Sequence, residues 1–151
     1  MTDVFNNEPE HEDVYRVLLY YKFTLINDVE TFANEHRDLC NRLDLRGRIL
    51  VAPEGLNGTV SGTTAACEEY VAVLRSDPRF ADMVFKTDVV EGHVFEKMFV
   101  RVKMELVTLR AGHSPVVAPV GTHLSPEEWQ EMMKDPEVIV IDGRTGYEYD
   151  I

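Results

Sequence analysis

The chain has 151 residues and a mass of 17.3 kDa, enough for one full domain or for a small domain with part of a second. With 44% apolar and 28% charged residues it is globular in composition, not disordered. No apolar run reaches the ~18 residues of a membrane span, and the opening MTDVFNNEPEHEDV has neither a basic nor an apolar leader region. The expectation is a cytoplasmic protein with no membrane partner. A net charge of −12 argues against general nucleic-acid affinity. Nearly all of the 15 cations nonetheless fall between residues 15 and 110, which leaves room for a local basic patch. Cys40 and Cys67 have no CxxC spacing and the five histidines are scattered, so neither a disulfide framework nor a metal site is expected. No nucleotide- or dinucleotide-binding glycine motif is present, and no cofactor is expected.

In chain order, residues 1–14 are acidic and predict a flexible tail. Tyr15–Phe23 is rich in aromatic and β-branched residues and predicts a central strand covered on both faces. Asn27 with Glu30 suggests a capping box. It opens a helix over Asp28–Leu43 whose stripe is Phe32, His36, Leu39 and Leu43, with Gly47 just past its end. On that stripe His36 is expected to be a core histidine. Arg48–Ala52 predicts a strand, residues 53–58 a hairpin turn carrying Glu54 and Asn57 with Asn57-Gly58 as its signal, and Thr59–Ser61 the return strand. A second helix is predicted over Thr64–Arg75, with Ala66, Tyr70, Val73 and Leu74 on one side and a stop at Ser76-Asp77-Pro78. Met83–Val90 predicts a strand. Phe99–Leu109 predicts another, with Val100, Val102, Met104 and Leu106 inward and Arg101, Lys103 and Glu105 outward.

The order β-α-β-β-α-β plus one strand is the α+β, ferredoxin-like pattern over residues 15–110. Two helices would cover one face of its sheet and leave the other open for a partner, a ligand or RNA. Residues 111–121, rich in Pro, Gly, Ala and Val, predict a linker. A further unit over 122–151 opens with a capping box at Ser125-Pro126-Glu127-Glu128, and its helix should end near Asp135-Pro136. Val138–Ile141 then predicts a buried parallel strand leading to Asp142-Gly143-Arg144. One helix and one strand do not close a parallel sheet, so this unit is expected to be incomplete.

Four segments carry a resemblance: GRILVAPEGLNGTVSG at Gly47–Gly62, YYKFTLINDVETF at Tyr20–Phe32, HRDLC at His36–Cys40, and FEKMFVRVKMELVTL at Phe95–Leu109. Together they resemble the rhodanese-domain tRNA uridine hydroxylases, and VIVIDGRTGYEYDI resembles the opening of a rhodanese domain. The resemblance implies a ferredoxin-like domain followed by an α/β rhodanese domain. It also implies oxygen-dependent conversion of a tRNA wobble uridine to 5-hydroxyuridine, with tRNA and molecular oxygen as substrates. The essential cysteine of the rhodanese active loop would lie beyond Ile151, so the chain by itself is expected to be inactive, with no catalytic residue of its own. Cys40 and Cys67 are expected to be buried small hydrophobes. Asp142 and Arg144 would organise the rhodanese fold, and Glu148 is expected to be structural.

Lys22, Arg46, Arg48, Lys97, Arg101 and Lys103, with Asn57, are the candidates for RNA contact. These cations either track an RNA backbone or are solvated surface. Tyr20, Tyr21 and Phe99 could stack on bases, but their apolar strands favour core packing. Two other readings stay open: a rhodanese-type sulfurtransferase, and a non-enzymatic module binding RNA or protein. Acylphosphatase shares the βαββαβ plan, but no glycine-rich phosphate cradle follows the first strand.

Overall fold

The computed structural model describes residues 14–106 and 121–150. The chain divides into two units, Met1–Val117 and Ala118–Ile151. All but Val14 of the expected acidic tail, and all but the last residue of the expected linker, lie outside the described residues.

The first unit runs β1 (Tyr15–Phe23), α1 (Val29–Arg42), β2 (Arg46–Ala52), β3 (Gly55–Thr63), α2 (Thr64–Ser76), β4 (Phe85–Val90) and β5 (Met98–Val102). The sheet order is β4-β1-β3-β2-β5, antiparallel except that β5 lies parallel to β2. This is the ferredoxin-like sheet with the extra strand added beside β2.

Both helices lie against one sheet face. Leu18 and Tyr20 from β1, Ile49 and Val51 from β2, Leu56 and Val60 from β3 and Val100 from β5 point into it. From the helices come Phe32, Ala33, His36 and Cys40 of α1 and Cys67, Tyr70 and Leu74 of α2. Phe80 and Met83, after α2, close the end of this core. Each fully buried large side chain contributes about 1.5–3 kcal/mol relative to exposure.

Helix α1 starts one residue later than predicted. Asp28 is its N-cap and makes no side-chain cap bond, so the Asn27 capping box is not formed. The helix stops without Gly47. Asp44 takes a left-handed conformation (φ 48°), and Leu45 N–H donates to the Cys40 carbonyl at 2.9 Å. Helix α2 is capped by Thr63, whose hydroxyl accepts from Ala66 N–H at 3.3 Å. Val73 is 40% exposed and off the core side.

The hairpin differs from its prediction. The turn is Pro53-Glu54, and Asn57 and Gly58 are paired inside β3. The segment that follows β1 fixes this register: Thr24 and Ile26 donate N–H groups to the carbonyls of Glu54 and Pro53, each at 3.0 Å. Gly58 is needed because a Cβ there would enter the Tyr20 ring. Gly47 is a strand residue, where a Cβ would strike the Thr59 carbonyl.

Strand β1 is central, but only one of its faces is covered: Leu19 is 48% and Tyr21 51% exposed. Strand β5 ends at Val102, and Met104 is 83% exposed, so the long alternating strand is not formed among the described residues. The fourth strand begins at Phe85, not Met83, because Met83 turns into the core.

In the second unit, α3 (Pro126–Met132) has the predicted capping box at Ser125, and α4 is the single turn Gly146–Tyr149. Val138–Ile141 is not a strand, and Ile139 and Ile141 are over four-fifths exposed. No strand lies beside it among the described residues of this unit, so its backbone has no ladder to join.

Candidate nucleic-acid interface

Partners in register share a face, so the pairing defines what the helix-free face displays. One row runs Lys86, Leu19, Thr59, Arg48, Phe99 across all five strands. The next runs Tyr21, Asn57, Leu50, Arg101 across four. With strands about 4.8 Å apart, the first row spans about 19 Å.

At one end this face is roofed by the loop joining β4 to β5. Val94 N–H donates to Ser61 Oγ at 3.2 Å, and Ser61 is fully buried although it belongs to the open face. The His93 ring packs edge-on against Tyr15, with centroids 4.9 Å apart, and its Nε2 lies 3.5 Å from an Asp44 carboxylate oxygen. At the other end the chain leaves β5 over the hairpin. Lys103 N–H donates to the Val51 carbonyl at 2.8 Å, and the Glu54 carboxylate accepts from Leu106 N–H. The Glu54 of the turn thus holds the chain leaving the sheet. Between roof and exit the face is open: Tyr21 is 51% and Phe99 44% exposed, and the Arg101 guanidinium lies 5.8 Å from the Phe99 ring centroid.

The predicted RNA contacts fall into two sets. Arg48, Asn57 and Arg101 are exposed on the open face. Lys97 and Lys103 flank β5 and are exposed. Arg48, Lys97, Arg101 and Lys103 form no ion pair with a carboxylate among the described residues. Arg46 belongs to the same face, but its guanidinium lies 3.9 Å from the Asp44 carboxylate, beside the roof. Lys22 stands apart. It shares the parity of Leu18 and Tyr20, and its ammonium is 2.6 Å from Asp82.

Of the three aromatic candidates, Tyr20 is core and Tyr21 and Phe99 are not. Periodicity alone does not separate the covered face of such an apolar strand from the open one. Leu19 and Lys86, missed from sequence, complete the row. Their only signal was register, which a single sequence does not display.

A pocket of about 360 Å³ opens where the roof meets the sheet, lined by Gly47, Arg48, Val94, Phe95, Glu96, Lys97 and Phe99. Gly47 N–H donates to the Lys97 carbonyl at 3.0 Å and ties its floor to its wall.

The covered face holds a chain of polar groups of a different kind. His36 Nε2 and Tyr70 Oη are 2.7 Å apart, and Tyr70 Oη is hydrogen-bonded to Tyr20 Oη. Burial lowers the His36 pKa to about 4 and raises both phenols well above their usual value. Burial likewise pushes the Cys40 thiol up to about 12 and raises that of Cys67. Neither cysteine is a thiolate nucleophile at neutral pH.

In the second unit Asp142 and Arg144 form a closed clamp. Arg144 backbone N–H and Nε donate to Asp142 Oδ1 at 3.0 Å each, and an Arg144 Nη donates to Oδ2 at 2.6 Å. Glu148 accepts from Thr145 N–H at 2.9 Å and caps α4. Among the described residues no His/Cys/Asp/Glu cluster could hold a metal ion, and no helix is long and apolar enough to cross a membrane.

Residues 15–106 match the family described as the UPF0176 acylphosphatase like domain. A protein of Bacillus velezensis named tRNA uridine(34) hydroxylase is 53% identical over 142 residues, covering 93% of this chain and 44% of that protein. One of the same name from Listeria monocytogenes is 49% identical over 138 residues, covering 91% of this chain and 43% of that protein. The chain therefore spans less than half the length of these relatives. Among solved structures, "BlrB - a BLUF protein, dark state structure" superposes with a TM-score of 0.52 at 20% identity, covering 60% of this chain and 73% of that one. "BlrP1 BLUF" gives 0.51 at 20% identity, covering 60% and 65%. Those two likenesses concern the fold alone. The match spans more than half of the chain and takes in every strand and the roof of the open face, and the chain belongs to the family of the UPF0176 acylphosphatase like domain.

Proposed function

We propose that this chain is the tRNA-holding part of a tRNA wobble-uridine 5-hydroxylase. The observation that carries the proposal is the open sheet face. In an acidic protein it displays Arg48 and Arg101 without carboxylate partners among the described residues, next to the exposed rings of Tyr21 and Phe99. Cations neutralise phosphates, and exposed rings on a bare sheet stack unpaired bases. The identity of about half to proteins named tRNA uridine(34) hydroxylase supplies the substrate class.

In this reading the intact protein uses molecular oxygen in the cytoplasm to oxidise C5 of the wobble uridine. Its reactive cysteine belongs to a rhodanese domain within the part of the relatives that this chain does not span. The buried, protonated state of Cys40 and Cys67 supports a nucleophile elsewhere. The Asp142–Arg144 clamp holds local backbone and takes no part in the chemistry.

The test is nucleoside mass spectrometry of bulk tRNA from a strain lacking the gene. The strain is complemented with the full-length gene or with the segment encoding these 151 residues. Return of 5-hydroxyuridine with the full-length gene alone is the expected result. Its return with the segment alone would move the chemistry into residues 15–106, and its return with neither would make sulfur transfer the better reading.

A further inference from the structure

We infer that the pocket between β2, β5 and the roofing loop receives a single unpaired nucleotide of an RNA loop. Its base lies against Phe99 and its phosphate lies on the Arg48 and Lys97 side. The inference rests on the tRNA reading above and makes it specific, naming the part of the RNA that is read and the residues that read it.

Three features of the pocket fit one nucleotide. Its volume, about 360 Å³, is at the lower end of small-ligand sites, too small for a duplex and ample for a base with its sugar. Its composition is split in the way a nucleotide is split. Phe99 and Phe95 give apolar surface, while Arg48 and Lys97 give positive charge unpaired by any carboxylate among the described residues. Glu96, also at its lining, is acceptor-only when ionised, which suits the N–H donors that every base carries on its pairing edge. These donors are free only when the base is unpaired.

The pocket is also built rather than incidental. Its wall is fixed from both sides, by Val94 N–H on the buried Ser61 hydroxyl and by Gly47 N–H on the Lys97 carbonyl. Arg101, within 5.8 Å of the Phe99 ring, continues the flat surface toward Tyr21 in the neighbouring row. That geometry lets the rest of a loop follow the sheet while one base enters the pocket. A helical stem, with every base paired, would meet only the cations.

The experiment uses the 151-residue chain, a fluorescently labelled RNA hairpin with an unpaired loop, and the same stem closed as a blunt duplex. Binding is read by anisotropy at low salt. The wild type is expected to bind the hairpin about tenfold more tightly than the duplex, the usual effect of stacking one base. Phe99→Ala should abolish that preference and leave duplex binding unchanged. Phe99→Tyr, which keeps the ring, should retain it. Phe99 is half exposed, so both variants are expected to fold, and a melting curve checks this. An undiminished hairpin preference in folded Phe99→Ala overturns the pocket while leaving the backbone-holding role intact. Equal binding of hairpin and duplex by the wild type does the same. Failure of the wild type to bind either RNA overturns the tRNA reading, and the pocket with it.

Discussion

Tyr20 and Tyr21 are neighbours in one strand and lead opposite lives. Tyr20 is 1% exposed and hydrogen-bonded to Tyr70, with His36 beyond it, whereas Tyr21 is 51% exposed and its hydroxyl makes no hydrogen bond among the described residues. The same contrast holds for the two faces of the sheet. The covered face uses its polar groups to satisfy one another inside an apolar core. The other leaves aromatic rings and guanidinium groups facing solvent, where they contribute little to folding. Acidic residues gather on the outer surfaces of the helices, such as Glu30, Glu35, Asp38, Glu68 and Glu69, and the cations of β2 and β5 on the bare sheet. A chain with net charge −12 thus presents one side suited to a polyanion, and the bulk charge misleads about partners.

The largest effect that tests this division is Tyr20→Ala. It empties a fully packed site and leaves the Tyr70 hydroxyl short of a partner. A loss of about 4 kcal/mol is expected, against less than about 1 kcal/mol for Tyr21→Ala. Urea titrations of the two variants give the comparison directly, and equal losses would end the distinction between the faces.

Of the two sheet faces, acid should act on the covered one, through His36. The unfolded imidazole titrates near 6.5 and buried His36 near 4, so between these values the unfolded chain binds more protons. Its contribution is complete above pH 6.5 and falls as pH drops through this window, reaching a loss of about 3 kcal/mol by pH 4. His36→Phe, measured by denaturation at pH 7 and pH 4.5, should flatten that slope. Gly58→Ala pushes a methyl group into the Tyr20 ring and should cost about 2 kcal/mol, seen as a lowered Tm with no direct contact to the open face.

Smaller energies belong to the open face. Reversing Arg101 and Lys103 to Glu should lower tRNA affinity about tenfold at low salt. It should also reduce the slope of log affinity against log salt by about 2, with stability almost unchanged. An unaltered slope would mean that RNA lies elsewhere. The smallest effect is expected at Lys22. Its ammonium is already on Asp82, so Lys22→Ala should leave tRNA binding as it was and change stability by less than about 1 kcal/mol.

The strand and helix order was legible because each element has a strong local signature. Examples are the aromatic run of β1, the helical stripe of Phe32, His36, Leu39 and Leu43 on α1, of which Phe32 and His36 are buried and the leucines half-buried, and the Ser125 capping box. What was misread depends on contacts distant in sequence. Asn57-Gly58 has the composition of a turn, but Gly58 is there to admit Tyr20, and the turn is fixed at Pro53-Glu54 by Thr24 and Ile26 just after β1. Alternation over residues 99–109 suggested a long half-buried strand, whereas β5 stops at Val102. At the candidate site the residue types were legible and their grouping was not. Arg48, Asn57, Phe99 and Arg101 converge only through the register of three strands, β2, β3 and β5. Lys22 has the same chemistry and points elsewhere because its parity differs.

The burial of both thiols has a practical side. The chain contains two cysteines, each enclosed, with Cys40 held protonated to about pH 12. Alkylating reagents at neutral pH should therefore find the folded protein silent. A cysteine installed singly at Arg48, Tyr21 or Phe99 becomes its one reactive handle, without prior removal of native residues. Crosslinking yields to thiol-bearing RNA, position by position, would then trace the path of a bound strand across the sheet.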